Sequence, residues 1–250
     1  MKIAVCIKRV PDMETRFKIA ASGTAVDEAG LKYDMSDFDG YAVETALQLN
    51  EKQGPGETVV ISLGPDVVQE QLRKALSMGA DRAVQLKTDR VPADGLAIAR
   101  ALAAELEGGG YDLIFFGRQA VDSANATVGP MTAVLLDLPC VTAVSTLEIA
   151  NGRATARRDL EGAAEIVELA LPAVVTVDEG MPRARYPSLK GIMAAKKKPL
   201  EVKPAQLGEE RLALVKMELP PERAAGRIVG EGPGAVPELV RLLHTEAKVL

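Results

Sequence analysis

One loop, residues 117–127, concentrates the polar groups of this chain that could bind a phosphate. Its short polar side chains are those of Asp122, Ser123, Asn125 and Thr127. A loop of this kind holds a phosphate when it leads into a helix, because the first N–H groups of a helix have no partner inside it. The same composition is also typical of an ordinary strand-to-helix connection, and these residues alone leave both interpretations open.

The elements on either side of the loop can be predicted from the apolar pattern. Residues 113–116 form an apolar run that ends at Gly117, which indicates a buried strand. Beyond the loop, apolar residues recur at helical spacing, at Val128, Met131, Leu135 and Leu138. Pro130 must lie in the first turn of this helix, which favours Thr127 as its N-cap.

The preceding residues alternate strands and helices in the same way. The predicted strands are residues 3–8, 58–63, 83–86 and 113–116, and the predicted helices are residues 40–52, 66–78, 93–106 and 128–138. Strands that are apolar throughout indicate a parallel sheet with both faces covered. Ligands bind such sheets beyond the carboxyl ends of the strands. The candidate binding loops are therefore residues 8–12, 64–66 and 117–127.

The pattern changes after residue 139. Asn151-Gly152 is a strong signal for a two-residue hairpin, here between strands at residues 144–149 and 153–158. Residues 164–170 alternate again, and residues 173–177 read as a further buried strand. We therefore expect an antiparallel section attached to the parallel sheet.

The last part of the chain, residues 182–250, is rich in Pro and Lys, and its apolar residues are isolated. We expect a nucleotide-binding domain over residues 1–181 and an extended arm over residues 182–250, with a strand-like stretch at 215–219 and a final helix at 237–246. A disordered tail is the alternative. The apolar residues Leu189, Ile192, Met193 and Leu200 favour an arm that lies on another subunit.

Composition excludes several classes of function. The net charge is −5 and aromatic residues make up 3% of the chain, which argues against binding to nucleic acid. With Cys6, Cys140 and a single histidine, His244, there is no zinc motif and no plausible catalytic triad. Both cysteines are expected to be buried in a reducing compartment. No signal peptide or apolar run of ~20 residues is present, which favours a cytoplasmic protein without membrane insertion.

Motifs for nucleotide chemistry are also missing. The chain has no GxxxxGK[ST] loop, no GxGxxG after its first strand and no SGGxD loop. No residue stands out as a general base or nucleophile. The sequence therefore predicts a protein that holds a nucleotide without cleaving it. No residues support the alternative of a hydrolase.

Six segments in order resemble the beta subunit of electron transfer flavoprotein over almost the whole chain. They are KIAVCIKRVPD, YDMSDFDGYAVETAL, SLGPDVVQEQLRKALSMGADRAV, GRQAVDSANATVG, RRDLEGAAEIVELALPAVVTV and RYPSLKGIMAAKKKPLE. The resemblance implies an α/β, Rossmann-like, HUP-type domain with a parallel sheet that binds AMP as a structural group. It also implies a heterodimer with an alpha subunit that carries FAD. Such a carrier accepts electrons from flavin dehydrogenases, such as acyl-CoA dehydrogenases, and passes them to a quinone oxidoreductase.

The resemblance also implies which residues bind and dock. The family's AMP site corresponds to Cys6, Ser36, Asp37, Phe38, Asp39, Leu63, Gly117, Arg118, Gln119, Ala120, Val121, Asp122, Ser123, Ala124, Asn125, Ala126, Thr127 and Val128. Phe38 and Met13 match positions that face the flavin, although the family often has an aromatic residue where Met13 stands. Leu189 matches an apolar anchor for the partner dehydrogenase, with Ile192 and Met193 beside it. The lysines at 196–198 are expected to be a solvated run rather than a docking surface.

Two other functions remain open at this point. A bifurcating electron transfer flavoprotein would hold a second FAD in place of AMP and use NADH, and the run Val128-Gly129-Pro130 resembles such proteins. A stand-alone nucleotide-binding stress or signalling protein would be stable without an alpha partner.

Overall fold

The computed structural model describes residues 1–222 and 225–250, which form two compact units, Met1–Lys216 and Met217–Leu250. The strands, all in the first unit, are β1 (Lys2–Cys6), β2 (Arg9–Pro11), β3 (Tyr33–Met35), β4 (Glu57–Gly64), β5 (Arg82–Lys87), β6 (Leu113–Gly117), β7 (Cys140–Ala150), β8 (Arg153–Leu160), β9 (Ala163–Ala170), β10 (Ala173–Val177) and β11 (Leu200–Pro204). The α-helices are α1 (Asp37–Gln53), α2 (Gln69–Met78), α3 (Gly95–Leu106), α4 (Val128–Leu135), α5 (Leu189–Ala195) and α6 (Val236–Leu242).

Within the described residues, nine strands make one sheet in the order β11-β5-β4-β1-β6-β10-β7-β8-β9. The strands from β11 to β7 run parallel to their neighbours, whereas β7, β8 and β9 are joined by antiparallel pairs. This arrangement confirms the predicted α/β class with an added antiparallel section. Asn151 and Gly152 both have positive φ, as the predicted hairpin turn requires.

The central parallel strands β1, β4, β6 and β10 are largely buried because helices cover both faces of the sheet. Along β1, Ile3 and Val5 join one core cluster while Ala4 and Cys6 join the other, since neighbouring side chains on a strand point to opposite faces. The first cluster contains buried apolar residues of α1 and α2, and the second contains buried apolar residues of α3 and α4. The two clusters together fix the sheet between two helical layers.

The strand order reverses at β1. The chain adds β4 and then β5 on one side of β1, and later places β6 on the other side. The carboxyl ends of β1 and β6 lie side by side, with Cys6 paired to Phe116. This is the point in an open parallel sheet where a crevice forms and where ligands bind.

One segment near the start of the chain, and one cysteine, differ from their predictions. Residues 8–12, expected to be a turn, contain β2, which pairs with β3 across the long loop between them. Val10 is buried by this pairing. Cys140, expected to be buried, is exposed at the first position of β7, whereas Cys6 is buried as expected.

The C-terminal part also differs from its prediction. The sequence predicts an extended arm over residues 182–250, but α5 and β11 belong to the first unit, and β11 pairs with β5 at the edge of the sheet. Residues 215–219, predicted to be strand-like, form no strand in the structure. The final helix is confirmed by α6 and the helical turn that follows it. None of the described helices is both long and apolar enough to cross a membrane.

Candidate functional site

A cavity of about 470 Å³ opens at the switch point between β1 and β6. The carboxyl ends of β1, β4 and β6 form its floor, and the start of α3 and the loop before α4 form two of its walls. The predicted site residues in its wall are Cys6, Asp39, Leu63, Gly117, Arg118, Gln119, Ala120, Ser123, Asn125, Ala126, Thr127 and Val128. The fold therefore brings most of the predicted set together around one space.

Other predicted residues lie outside the wall of the cavity. They are Ser36, Asp37, Phe38, Val121, Asp122 and Ala124. Ser36 is fully buried, and its hydroxyl donates to the carbonyl of Gln119 at 3.4 Å, so it supports the loop from below. Phe38 packs edge-to-face on Tyr41, with ring centroids 6.3 Å apart. Met13 is 51% exposed and stands in the loop between β2 and β3.

The sequence predictions missed an apolar part of the wall. Its residues are Val91, Pro92, Ala93, Gly95, Ile98, Leu102, Leu212 and Leu214. The residues from 91 to 98 follow the carboxyl end of β5, so the rule that proposed the other loops could have found them. Leu212 and Leu214 lie near the C-terminal end of the first unit, and no local sequence pattern predicts that they line the cavity.

Asp39 ties the floor of the cavity together. One of its carboxylate oxygens accepts the backbone N–H of Lys8 at 2.7 Å, and the other accepts that of Gly117 at 3.1 Å. The first residue beyond β1 and the last residue of β6 are thereby joined through the first turn of α1. Because both oxygens are engaged by backbone donors, this carboxyl group holds the site in shape and is not positioned to act as a base.

Burial raises the pKa of Asp39 to about 7, although the N–H groups of Lys8 and Gly117 work in the opposite direction. Since the folded pKa lies above the unfolded one, folding takes up a proton between about pH 4 and pH 7. This contribution to stability is complete below pH 4 and is lost as the pH rises through 7. We therefore expect the nucleotide-free chain to lose on the order of 2–4 kcal/mol from this group across that range.

The check is urea denaturation of the nucleotide-free chain at a series of pH values. In Asp39→Asn, which cannot titrate, the decline between pH 4 and 7 should be smaller than in the unchanged chain. Asp89→Asn, at an exposed position, serves as the control and should keep the decline. Equal slopes in all three proteins would contradict the assignment to Asp39.

Two cations stand at the rim of the cavity, and each is paired with a carboxylate. The ammonium group of Lys8 lies 2.8 Å from both oxygens of Asp122 and 3.4 Å from the hydroxyl of Ser123. Arg118 pairs with Asp178 at 2.7 Å. Lys8 thus connects the end of β1 to the polar loop at the rim of the cavity.

The loop has an unusual backbone. Ala124 and Ala126 adopt positive φ values of 50° and 53°, a conformation that costs a residue with a Cβ about 1–2 kcal/mol. Alternating conformations of this kind turn successive N–H groups toward one side and form a concave anion site. Asn125, Ala126 and Thr127 line the cavity, and their N–H groups find no acceptor among the residues that the structure describes. Thr127 stands at the N-cap position of α4 as predicted, but its hydroxyl makes no capping bond.

Comparison with known proteins identifies close relatives over the full chain. Residues 23–207 match the family model described as "Electron transfer flavoprotein domain". The protein of Bacillus subtilis (strain 168) named electron transfer flavoprotein subunit beta is 38% identical, with 100% of each chain covered. The Homo sapiens protein of the same name is 37% identical over 90% of this chain and 91% of its own. The Bradyrhizobium diazoefficiens protein of the same name is 38% identical, again with full coverage of both.

Proposed function

The chain belongs to the family of electron transfer flavoprotein beta subunits, and we propose that it is the AMP-binding subunit of a heterodimeric electron carrier. It pairs with an alpha subunit that holds the redox-active FAD, and it performs no catalysis of its own. The observation that carries this proposal is that three adjacent residues, Asn125, Ala126 and Thr127, line the cavity and their N–H groups have no acceptor in the described chain. Asn125 and Ala126 are exposed and Thr127 is half-buried, so these donors are open to a ligand, and a phosphate supplies the acceptor that they lack.

The polar and apolar lining residues of the cavity suit the phosphate and the adenine ring of AMP, respectively. The donors of the loop before α4 and the ammonium group of Lys8 offer charge-assisted hydrogen bonds to a phosphate. The apolar wall, which includes Ile98, Leu102 and Leu212, offers a surface for the adenine ring. AMP contributes no redox chemistry here, so its role is to fill and stabilise the site.

The proposal extends to the partners of the carrier. Phe38 and Met13 face the FAD of the alpha subunit, where Met13 packs its thioether on a ring in place of an aromatic side chain. The carrier accepts electrons from flavin dehydrogenases such as acyl-CoA dehydrogenases and delivers them to electron transfer flavoprotein-quinone oxidoreductase. A docking segment, defined as residues 186–193, supports this role because Leu189, Ile192 and Met193 are 83%, 44% and 64% exposed.

A bifurcating carrier with a second FAD in this cavity is the alternative. The run Val128-Gly129-Pro130 suggested it, but packing accounts for the glycine. A Cβ at Gly129 would lie 2.7 Å from the methyl carbon of Thr176 and 3.3 Å from the ring of Phe116. The glycine is therefore required by the contact of α4 with the sheet, whichever nucleotide is bound.

Replacement of Lys8 by alanine tests the phosphate assignment. Loss of one charge-assisted hydrogen bond should raise the Kd for AMP by roughly ten- to a hundredfold. The measurement is equilibrium dialysis of labelled AMP against the heterodimer after its nucleotide has been removed. Lys18→Ala is the matched control, because Lys18 is exposed and lies in the loop between β2 and β3. If both variants bound AMP like the unchanged protein, the phosphate would not lie at this rim.

A further inference from the structure

We propose that Arg185, Arg73 and Lys198 are positioning residues that hold the docking segment in one orientation before any partner arrives. This inference rests on the proposed docking role of residues 186–193. Arg185 fixes the start of the segment to α1, and Arg73 and Lys198 fix its end to α2. We name these contacts the entry clamp and the exit clamp.

The entry clamp is a fork of ion pairs. The guanidinium group of Arg185 donates to both carboxylate oxygens of Glu44, at 2.8 and 2.9 Å, and to those of Glu51, at 2.6 and 3.1 Å. Its backbone N–H also donates to Glu44 at 3.2 Å. Glu44 is only 3% exposed. Burial would raise the pKa of Glu44, but the hydrogen bonds from Arg185 outweigh it and lower the pKa, so the pair stays ionised near neutral pH.

The exit clamp consists of two reciprocal helix caps. The ammonium group of Lys198 donates to the carbonyls at the end of α2, those of Leu76, Gly79 and Ala80, at 3.1, 3.1 and 2.5 Å. In return, Arg73 of α2 donates to the carbonyls of Ala195 and Lys198, at the end of α5, at 2.7 and 2.8 Å. Cations stabilise the carboxyl ends of helices, and here each of the two helices receives one from the other segment. Lys198 is therefore no part of a solvated run, whereas Lys196 and Lys197 are exposed as expected.

Between the clamps, α5 lies close against α2. A Cβ at Gly191 would stand 2.4 Å from the carbonyl oxygen of Ser77, so only glycine permits this approach. Ala195 is buried, and the hydroxyl of Ser188 caps the helix by accepting the N–H of Gly191 at 3.0 Å. The apolar side chain of Leu189 points away from these contacts and is 83% exposed.

The exposed apolar side chains of the segment do little to hold it in place, so its order depends on the polar clamps and on the contact of α5 with α2. A segment that is already ordered loses less conformational entropy on binding than a flexible one. Removing a clamp should therefore weaken docking without removing any atom that touches the partner. If the clamps served only the general stability of the chain, their removal would not raise the KM while leaving kcat unchanged.

The test uses the purified heterodimer with its FAD and AMP, reduced by an acyl-CoA dehydrogenase and its acyl-CoA substrate. We expect Arg185→Ala and Lys198→Ala each to raise the KM for the carrier roughly five- to tenfold while kcat stays unchanged. Amide hydrogen exchange in residues 189–195 should become faster in both variants. Arg183→Ala and Lys197→Ala remove the same charges from exposed neighbours and should change neither quantity. Glu51→Gln weakens the entry clamp from an exposed position and replaces Arg185→Ala if that variant fails to fold.

The outcomes distinguish a positioning role of the clamps from a failure of docking and from an effect of net charge. If Leu189→Ala raises the KM and the clamp variants do not, the positioning role is wrong while the proposed docking function stands. If Leu189→Ala also leaves the KM unchanged, docking by this segment fails and the inference fails with it. If the control variants raise the KM as much as the clamp variants, the effect is one of net charge and the inference is overturned.

Discussion

Replacing Gly117 with alanine is expected to destabilise the chain by about 2–3 kcal/mol and to deplete it of bound nucleotide. A Cβ at this position would lie 2.5 Å from a carboxylate oxygen of Asp39, 2.7 Å from the Cβ of Phe38 and 2.8 Å from the backbone nitrogen of Asp39. The backbone nitrogen cannot swing aside as a flexible side chain would. The start of α1 must therefore move away from the end of β6, and the hydrogen bond from the N–H of Gly117 to Asp39 is lost with it.

Two measurements check this expectation. Urea denaturation gives the change in the free energy of unfolding, and the AMP released on denaturing the purified heterodimer gives the nucleotide content. Gly234→Ala is a suitable control, because a Cβ there meets nothing within 4 Å. A Gly117→Ala protein as stable and as rich in AMP as the control would show that the junction of β1, β6 and α1 tolerates expansion, contrary to the packing described.

Replacing Leu189 with alanine is expected to raise the KM of the carrier for its dehydrogenase by roughly tenfold or more, as for an anchor residue at the centre of an interface. Leu189 is 83% exposed, so its removal leaves no cavity and should not change the free energy of unfolding. The kcat and the contents of FAD and AMP should also stay unchanged, because the residue lies outside the wall of the nucleotide cavity.

Steady-state reduction of the heterodimer by an acyl-CoA dehydrogenase measures both constants. Leu160→Ala is the matched control, since Leu160 is 49% exposed at the end of β8 and lies outside the docking segment. An unchanged KM in Leu189→Ala, or an equal rise in Leu160→Ala, would contradict the docking role of this side chain.

Local patterns were sufficient to predict much of the fold. The alternation of apolar strands with amphipathic helices predicts the parallel sheet, and Asn151-Gly152 predicts the hairpin between β7 and β8, because both signals are contained within a few neighbouring residues. β11 was missed, since it is a short edge strand whose pairing with β5 joins residues far apart in sequence. Lys198 was misread for the same reason, because a run of lysines carries no sign of which helix end one of them will cap.

The candidate site likewise has one part that the sequence predicts and other parts that depend on distant contacts. The loop before α4 was predicted from its polar residues and its position after a strand, and it does line the cavity. The role of Lys8 depends on a contact with Asp122, more than a hundred residues away, which composition cannot reveal. Leu212 and Leu214 reach the cavity only through the path of the chain beyond β11. Tertiary structure supplies these parts of the site, whereas sequence supplies the loop.

The central claim is that this chain holds AMP at the junction of β1 and β6 within an electron carrier. The most direct test is mass identification and quantitation of the nucleotides released from the native heterodimer. The account predicts one AMP and one FAD for each heterodimer. Two FAD molecules and no AMP would contradict it in favour of a bifurcating carrier, and a stable chain that purifies without any flavin-bearing subunit would contradict it altogether.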